Sequence, residues 1–374
     1  MKTLFLYILS FVIHTIHTNV IIPYRLNFRG DAIEVNPIFG NSTKSQNIEI
    51  KLDKDYTHFF RLAYPATLPD GPILTVFHSG YCTNISTVED TITLNNETQK
   101  MNYSFYIFHY DVFPRSLGFG YKFENNSFSI VHSLKRERYI DRLTFSFIPL
   151  RPNIRNEEVG SIYFGALPKE IVSNKYKAQC KVSDEIAWNC KLNEVWIDSY
   201  QYKNNYYMKF STDFISFIPT DFFLFLKRSI FCIGYNLYFS SDSNSIYCDK
   251  QYIKKFNRTI SFIIDDYNFT FRLRDLFACD TQKQYVCQLM LYNNEKIPNQ
   301  WIIGNNLWSH YITSFDYEQG QITFYSDTPF EKILHSKIPH NIQFNILLLT
   351  IFILIFTNFY LFFIYGLLYN KDTI

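Results

Sequence analysis

Few stretches of the chain place reactive side chains close together. His78 and Cys82 stand four residues apart in Val76-Phe77-His78-Ser79-Gly80-Tyr81-Cys82. A thiol beside an imidazole becomes a nucleophile when the imidazole takes its proton and a third group orients the base. Neither an orienting group nor an oxyanion feature accompanies this pair, so Cys82 reads as an unpaired or intermolecular cysteine. Alone, His78 would titrate at about pH 6.5, the range of a pH sensor, and the plainer reading is a histidine accommodated in a loop. Asp111 precedes Val112-Phe113-Pro114 and reads as a turn residue. The cluster Lys135-Arg136-Glu137-Arg138 mixes signs and reads as a solvated face. No Cys-X-X-Cys pair occurs, which argues against zinc-ribbon and thioredoxin-type chemistry. No metal site and no cofactor is expected.

The cysteines instead point to an oxidising compartment. Of seven, Cys180, Cys190, Cys232, Cys248, Cys279 and Cys287 can form three bridges, with Cys82 left over. Asn-X-Ser/Thr sequons at Asn41, Asn84, Asn96, Asn102, Asn125, Asn257 and Asn268 predict glycosylation at several of these sites. Met1-Lys2-Thr3 before the apolar run Leu4 to Ile13 has the form of a secretory signal peptide, cleaved between Thr15 and Val20. From Ile346 to Leu368 the chain carries no charge, and Asn358 is its one strongly polar residue. A bilayer's hydrocarbon core needs about 20 apolar residues. The polar tail Tyr369 to Ile374 follows, where a glycolipid-anchor signal would end on its apolar stretch. Signal peptide plus C-terminal span predicts a single-pass type I protein of the secretory pathway, its ectodomain lumenal or extracellular.

The elements that must position any site are strands. Aromatic residues make up 19% of the 374, an excess that calls for a large core or a membrane. A net charge of +2 argues against a nucleic-acid partner bound through its phosphates. With 12 Gly and 13 Pro, collagen-like and low-complexity architectures are excluded. Short runs rich in Phe, Tyr, Ile and Val predict strands at Thr57–Leu62, Ile73–Phe77, Tyr103–Val112, Thr144–Ile148, Ser161–Phe164, Ile260–Ile264, Phe269–Leu273 and Gln321–Tyr325. Helices are predicted at Phe128–Leu134, running on toward Arg142, and at Thr220–Arg228, where Thr220 and Asp221 supply capping groups. Lys169–Lys181 is polar and reads as a connection between two lobes.

Several segments, in order, resemble the pepsin-like aspartic protease family. Ser116-Leu117-Gly118-Phe119-Gly120-Tyr121 is similar to a glycine-bearing segment of that family's first lobe, and Gly160 to Pro168 to the strand that closes the lobe. Trp301-Ile302-Ile303-Gly304-Asn305-Asn306-Leu307-Trp308, then Tyr311, Ser314 to Glu318 and Gln321 to Phe324, resembles the family's closing run. The resemblance extends from Tyr56 to Tyr325. It implies an all-β, bilobal pepsin-like fold, with a C-terminal transmembrane helix added here. The expected order is a signal peptide (1–19), an N-terminal lobe (20–168), a C-terminal lobe (169–328), a stalk (329–345), the span (346–368) and a cytosolic tail (369–374). The resemblance also implies a disulfide between Cys248 and Cys287.

That family's chemistry uses two facing carboxylates that share a proton, because two like charges about 3 Å apart cannot both ionise. The pair activates a water for attack on a peptide carbonyl. The matching loops place His78 and Phe210 at the two carboxylate positions. Asp213 would serve only if the second loop slipped by three residues, and Phe214-Ile215 follows it rather than Thr/Ser-Gly. Between His78 and Gly118 there is little room for the family's mobile flap, so a reduced N-terminal lobe is expected. These features imply a membrane-anchored homologue without catalysis that binds a protein or peptide. The alternatives are an active aspartic-type endopeptidase with a non-standard site and a structural surface glycoprotein.

Overall fold

The computed structural model describes residues 20–26, 32–39, 45, 47–52, 58–60, 73–78, 81–94, 100–108, 116–121, 129–150, 158–183, 187–231, 245–279, 286–294, 300–332 and 354–358. The first part of the chain forms β1 (Val20–Leu26), β2 (Ile33–Val35), β3 (Ile38–Phe39), β4 (Ile48–Lys51), β5 (His58–Phe60), β6 (Ile73–His78), β7 (Tyr81–Thr93), β8 (Lys100–Phe108), β9 (Ser116–Gly118), β10 (Thr144–Pro149) and β11 (Glu158–Phe164). The second part forms β12 (Tyr176–Lys181), β13 (Asn189–Ile197), β14 (Tyr200–Phe210), β15 (Ser216–Ile218), β16 (Tyr247–Asp249), β17 (Thr259–Ile264), β18 (Tyr267–Arg272) and β19 (Phe277–Cys279). It ends in β20 (Val286–Leu289), β21 (Leu291–Asn293), β22 (Trp301–Ile303), β23 (Ile312–Asp316), β24 (Gln321–Ser326) and β25 (Glu331–Lys332).

The two expected helices are present at shifted bounds. Ile130–Arg136 starts on Ser129, whose hydroxyl accepts from the His132 amide, and Thr220–Phe231 runs three residues beyond the expected end. The polar connection folds into a helical turn, Lys169–Val172, followed by β12.

Two lobes meet in one sheet. Along the order β12-β24-β23-β10-β11-β1, three strands come from each part of the chain. The seam is the antiparallel pair β10 and β23, with Phe145 opposite Phe315. Directly opposed residues share a face, and here two aromatic rings stack with centroids 4.9 Å apart. Trp188 packs edge-on against both rings, and its indole N–H donates to the Phe119 carbonyl at 2.7 Å. Phe147, Trp308 and Tyr317 extend this cluster. Part of the aromatic content therefore lies in a core shared by the two lobes.

Each lobe also repeats one strand module. In the first, β9 runs parallel to β4 and antiparallel to β5, and β5 runs parallel to β8. In the second, β22 runs parallel to β14 and antiparallel to β15, and β15 runs parallel to β21. Thus β8-β5-β9-β4 recurs as β21-β15-β22-β14.

The segment Lys332–Ile374 forms a separate unit. Residues 354–358 are helical, and Asn358 returns its side-chain amide to the Leu354 carbonyl at 2.8 Å. Among the described residues no helix is long and apolar enough to cross a membrane. The expected signal peptide, the tail and all of the expected span except 354–358 lie outside the described residues.

Candidate functional site

The repeat establishes which residues of the two lobes are equivalent. Glu49 pairs with Ser116 and Lys51 with Gly118, while His58 also faces Ser116. In the other lobe Lys209 pairs with Ile302 and Phe210 with Ile303, while Phe217 also faces Ile302. Placing Ser116 on Ile302 superposes Gly118 on Gly304, Ile50 on Phe210 and Lys51 on Ser211. Burial follows this correspondence: Ile50 and Phe210 point into the core at 0% and 2% exposure. Alternation along a strand then turns the next residue, Lys51 or Ser211, toward the junction.

Two expectations are corrected here. His78 is not at the junction; it pairs with Tyr81 where antiparallel β6 and β7 lie closest in sequence. The end of an apolar strand looks alike in both settings, which explains the misleading likeness. Phe210 is one residue short of the junction, with its ring against Phe315 and Phe324. With Lys51 as the junction residue, β5 to β8 lie between it and Gly118. The segment expected to lack a flap therefore holds a long hairpin.

The junction is tied across the lobes. Ala32 forms an antiparallel bridge with Asp213, and the buried Thr212 hydroxyl donates to the Ile50 carbonyl. Lys51 Nζ lies 2.5 Å from Asp213 Oδ1 and 3.4 Å from Glu49 Oε2. Ser211 Oγ donates to the other carboxylate oxygen, Asp213 Oδ2, at 3.0 Å. Burial pulls the Lys51 pKa down, but Asp213 and Glu49 outweigh it, and the net shift is upward. Lys51 is therefore a cation at any physiological pH. Being raised, it contributes stability below its ordinary value of about 10.5, and that contribution is lost as pH climbs through the folded value.

Asp213 is 41% exposed, so solvent screens the pair. Lys51→Met is expected to lower unfolding free energy by about 1 kcal/mol, read as a shift in urea midpoint. The sequence reading passed over Lys51 and Ser211. A signal existed in the shared shape of Ile50-Lys51-Leu52-Asp53 and Phe210-Ser211-Thr212-Asp213.

The Cys248–Cys287 bridge is also corrected. Cys287 bonds to Cys279, Cys180 bonds to Cys190, and Cys248 is a buried free thiol. Cys248 does face Cys287, but Cys279 faces it from the opposite side and is only eight residues away in sequence. The shorter loop closes at less entropy cost. Cys232 lies outside the described residues.

Among the sequons, Asn257 is exposed just before β17, and Asn268 donates to Glu331 at 3.0 Å. Asn84 and Asn102 lie in β7 and β8. Asn41, Asn96 and Asn125 lie outside the described residues.

Two imidazoles, His132 and His310, contribute to the acid response. Burial holds the His132 pKa below its usual value, and Lys135 adds to the shift. Burial does the same to His310, against the opposing pull of Asp275 and a backbone hydrogen bond. The unfolded chain takes up these protons first, at about pH 6.5. Their contribution to stability is therefore complete above that pH and is lost as pH falls through the folded values. Asp265, raised by burial, acts in the opposite sense nearer its ordinary value of 3.8. Melting temperature is expected to fall from pH 7.5 to pH 5.5 in the native chain, and to fall less in His132→Gln/His310→Gln.

Among the described residues, no cluster of His, Cys, Asp and Glu could hold a metal ion. The family model for eukaryotic aspartyl proteases matches residues 83–326. The aspartic proteinase from Irpex lacteus shares the fold with a TM-score of 0.65 at 10% identity, over 82% of this chain and 97% of that one. No curated protein sequence matches.

Proposed function

Because the chain belongs to the eukaryotic aspartyl protease family, we propose that it keeps that family's two-lobed scaffold without its proton-sharing carboxylate pair, and acts by binding a protein or peptide. The observation that carries this reading is the occupant of the equivalent positions, Lys51 in one lobe and Ser211 in the other. Peptide hydrolysis by two carboxylates needs one of them ionised to take a proton from water and the other protonated to polarise the carbonyl. A lysine held as a cation cannot accept that proton. A serine hydroxyl that donates to Asp213 makes no proton-sharing pair with it. Asp213, the carboxylate bonded by Ser211, is paired with Lys51 at 2.5 Å, and Glu49 reaches the same ammonium at 3.4 Å.

In the same proposal the ectodomain is glycosylated and held on a lumenal or extracellular membrane face by 346–368, in type I orientation. Support comes from the uncharged run between Ile346 and Leu368 and from Asn358, whose side-chain amide is satisfied within its own helical turn. A second reading, an active endopeptidase built on Asp213, is favoured by that carboxylate's place at the junction.

Purified ectodomain incubated with a mixed-peptide library from acid to neutral pH separates these readings. Saturable peptide binding is expected, with no cleavage sensitive to a transition-state-mimicking aspartic protease inhibitor. Inhibitor-sensitive cleavage that disappears in Asp213→Asn would establish the second reading. Neither binding nor cleavage would point to a structural surface glycoprotein.

A further inference from the structure

Three cysteines stand in a row across one small sheet. In the order β16-β20-β19, Cys287 on the central strand is directly opposite Cys248 on one side and Cys279 on the other. Directly opposed residues of antiparallel strands project to the same face, about 4.5–5.5 Å apart, within the span a disulfide bridges. Cys248 and Cys287 are fully buried with Ile253 in one apolar cluster, and Cys279, Phe277 and Tyr252 pack against it. The bonded pair is Cys279–Cys287, and the free thiol is Cys248.

We propose that these three residues form an exchangeable disulfide, in which Cys248 displaces Cys279 from Cys287 and so converts a buried free thiol into a half-exposed, modifiable one at Cys279. The Cys248 thiol gives its proton to solvent base. The thiolate attacks Cys287 Sγ, the Cys248–Cys287 bond forms and the Cys279–Cys287 bond breaks. Cys279 leaves as a thiolate and takes up a proton. One disulfide and one thiol stand on each side, so no oxidant or reductant is consumed.

The central position of β20 makes the exchange local. Both partners already lie at pairing distance in the register, and neither strand need leave the sheet. The two states differ in accessibility, because all of β19, Cys279 included, is partly exposed. Burial, aided by the neighbouring Asp249, holds the Cys248 thiol above its usual value. That keeps it protonated at neutral pH and makes the exchange slow, so modification at Cys279 would build up over hours rather than at once. A thiol reagent or a second protein's disulfide that captures Cys279 would draw the sheet into the Cys248–Cys287 state. The inference stands apart from any reading of Lys51 and Ser211.

The test labels the native ectodomain with a bulky maleimide over hours and maps labels and disulfides by peptide mass spectrometry without reduction. Label is expected to accumulate at Cys279 while a Cys248–Cys287 peptide replaces the Cys279–Cys287 peptide. Cys248→Ser should reduce labelling at Cys279 to background with Cys279–Cys287 retained. Cys279→Ser should fold, by circular dichroism, with Cys248 bonded to Cys287. Label at Cys248 with the original bridge intact would overturn the proposal, as would a folded Cys279→Ser protein whose Cys248 and Cys287 are both free. If the variants fail to fold, the native time course decides: an unchanged Cys279–Cys287 peptide and an unlabelled Cys279 overturn it.

Discussion

Replacing Trp188 with alanine is expected to lower the unfolding free energy by about 4 kcal/mol, within the range for truncating a fully buried tryptophan. Trp188 is completely buried, and its ring touches Phe145 on β10, Phe315 on β23, and both Tyr121 and Tyr317. These neighbours belong to strands and loops that the fold holds rigidly, so the space would not collapse after truncation. The substitution also leaves the Phe119 carbonyl without the indole donor at 2.7 Å. The Tyr317 hydroxyl, 3.5 Å away, remains as that carbonyl's longer donor, so the lost indole bond adds about 1 kcal/mol. Because Phe145 and Phe315 form the seam of the shared sheet, the loss should reach both lobes together. Urea denaturation followed by tyrosine fluorescence and by far-ultraviolet circular dichroism should show one coincident shift. Separate transitions would mean that Trp188 serves one lobe alone. Trp188→Phe, which keeps much of the volume, should cost clearly less.

The second large effect is expected at Gly304. A methyl group there would come within 2.4 Å of the Ile215 carbonyl oxygen and 2.6 Å of the Asp213 carbonyl oxygen. Both obstacles are backbone, so no side-chain rotation relieves them. The segment between Ser211 and Ile215 folds closely over Gly304, whose N–H donates to the buried Ser216 hydroxyl at 2.9 Å. The next amide, Asn305 N–H, donates to the Asp213 carbonyl at 2.7 Å. Gly304→Ala must push this loop outward and break those bonds, at a cost of about 3 kcal/mol. The same movement carries Asp213 away from Lys51, so the cross-lobe ion pair should weaken. A double-mutant cycle with Lys51→Met measures that coupling. If Lys51→Met costs as much in the Gly304→Ala background as in the native one, the loop has not moved.

The strand content follows from local pattern, and the two-lobed arrangement was what the family resemblance implied. Runs of β-branched and aromatic residues marked β10, β17, β18 and β24 to within a residue or two, because strand propensity is written into neighbouring positions. The helix Thr220–Phe231 was legible from its first-turn Asp221 and its apolar face. The glycine-bearing segments around Gly118 and Gly304 were legible too, since close backbone approach at Gly304 leaves room for no other residue.

The residues at the junction were not legible in the same way. His78 at the end of an apolar strand looks locally like the entry to a lobe-centre loop, and only its antiparallel pairing with Tyr81 places it elsewhere. Lys51 and Ser211 become equivalent through parallel strand pairs that join residues 67 positions apart (Lys51 and Gly118) and 93 apart (Phe210 and Ile303). Register between such distant strands depends on the whole sheet rather than on neighbouring residues. The cysteines repeat the lesson. Seven cysteines admit many pairings, and which sulfur meets Cys287 depends on a central strand flanked by a cysteine on each side. By itself, then, the sequence determined the class of fold, its two lobes and its family. The tertiary structure decided which side chains meet between the lobes, because that meeting is made by non-local register and by the burial of one residue in place of its neighbour.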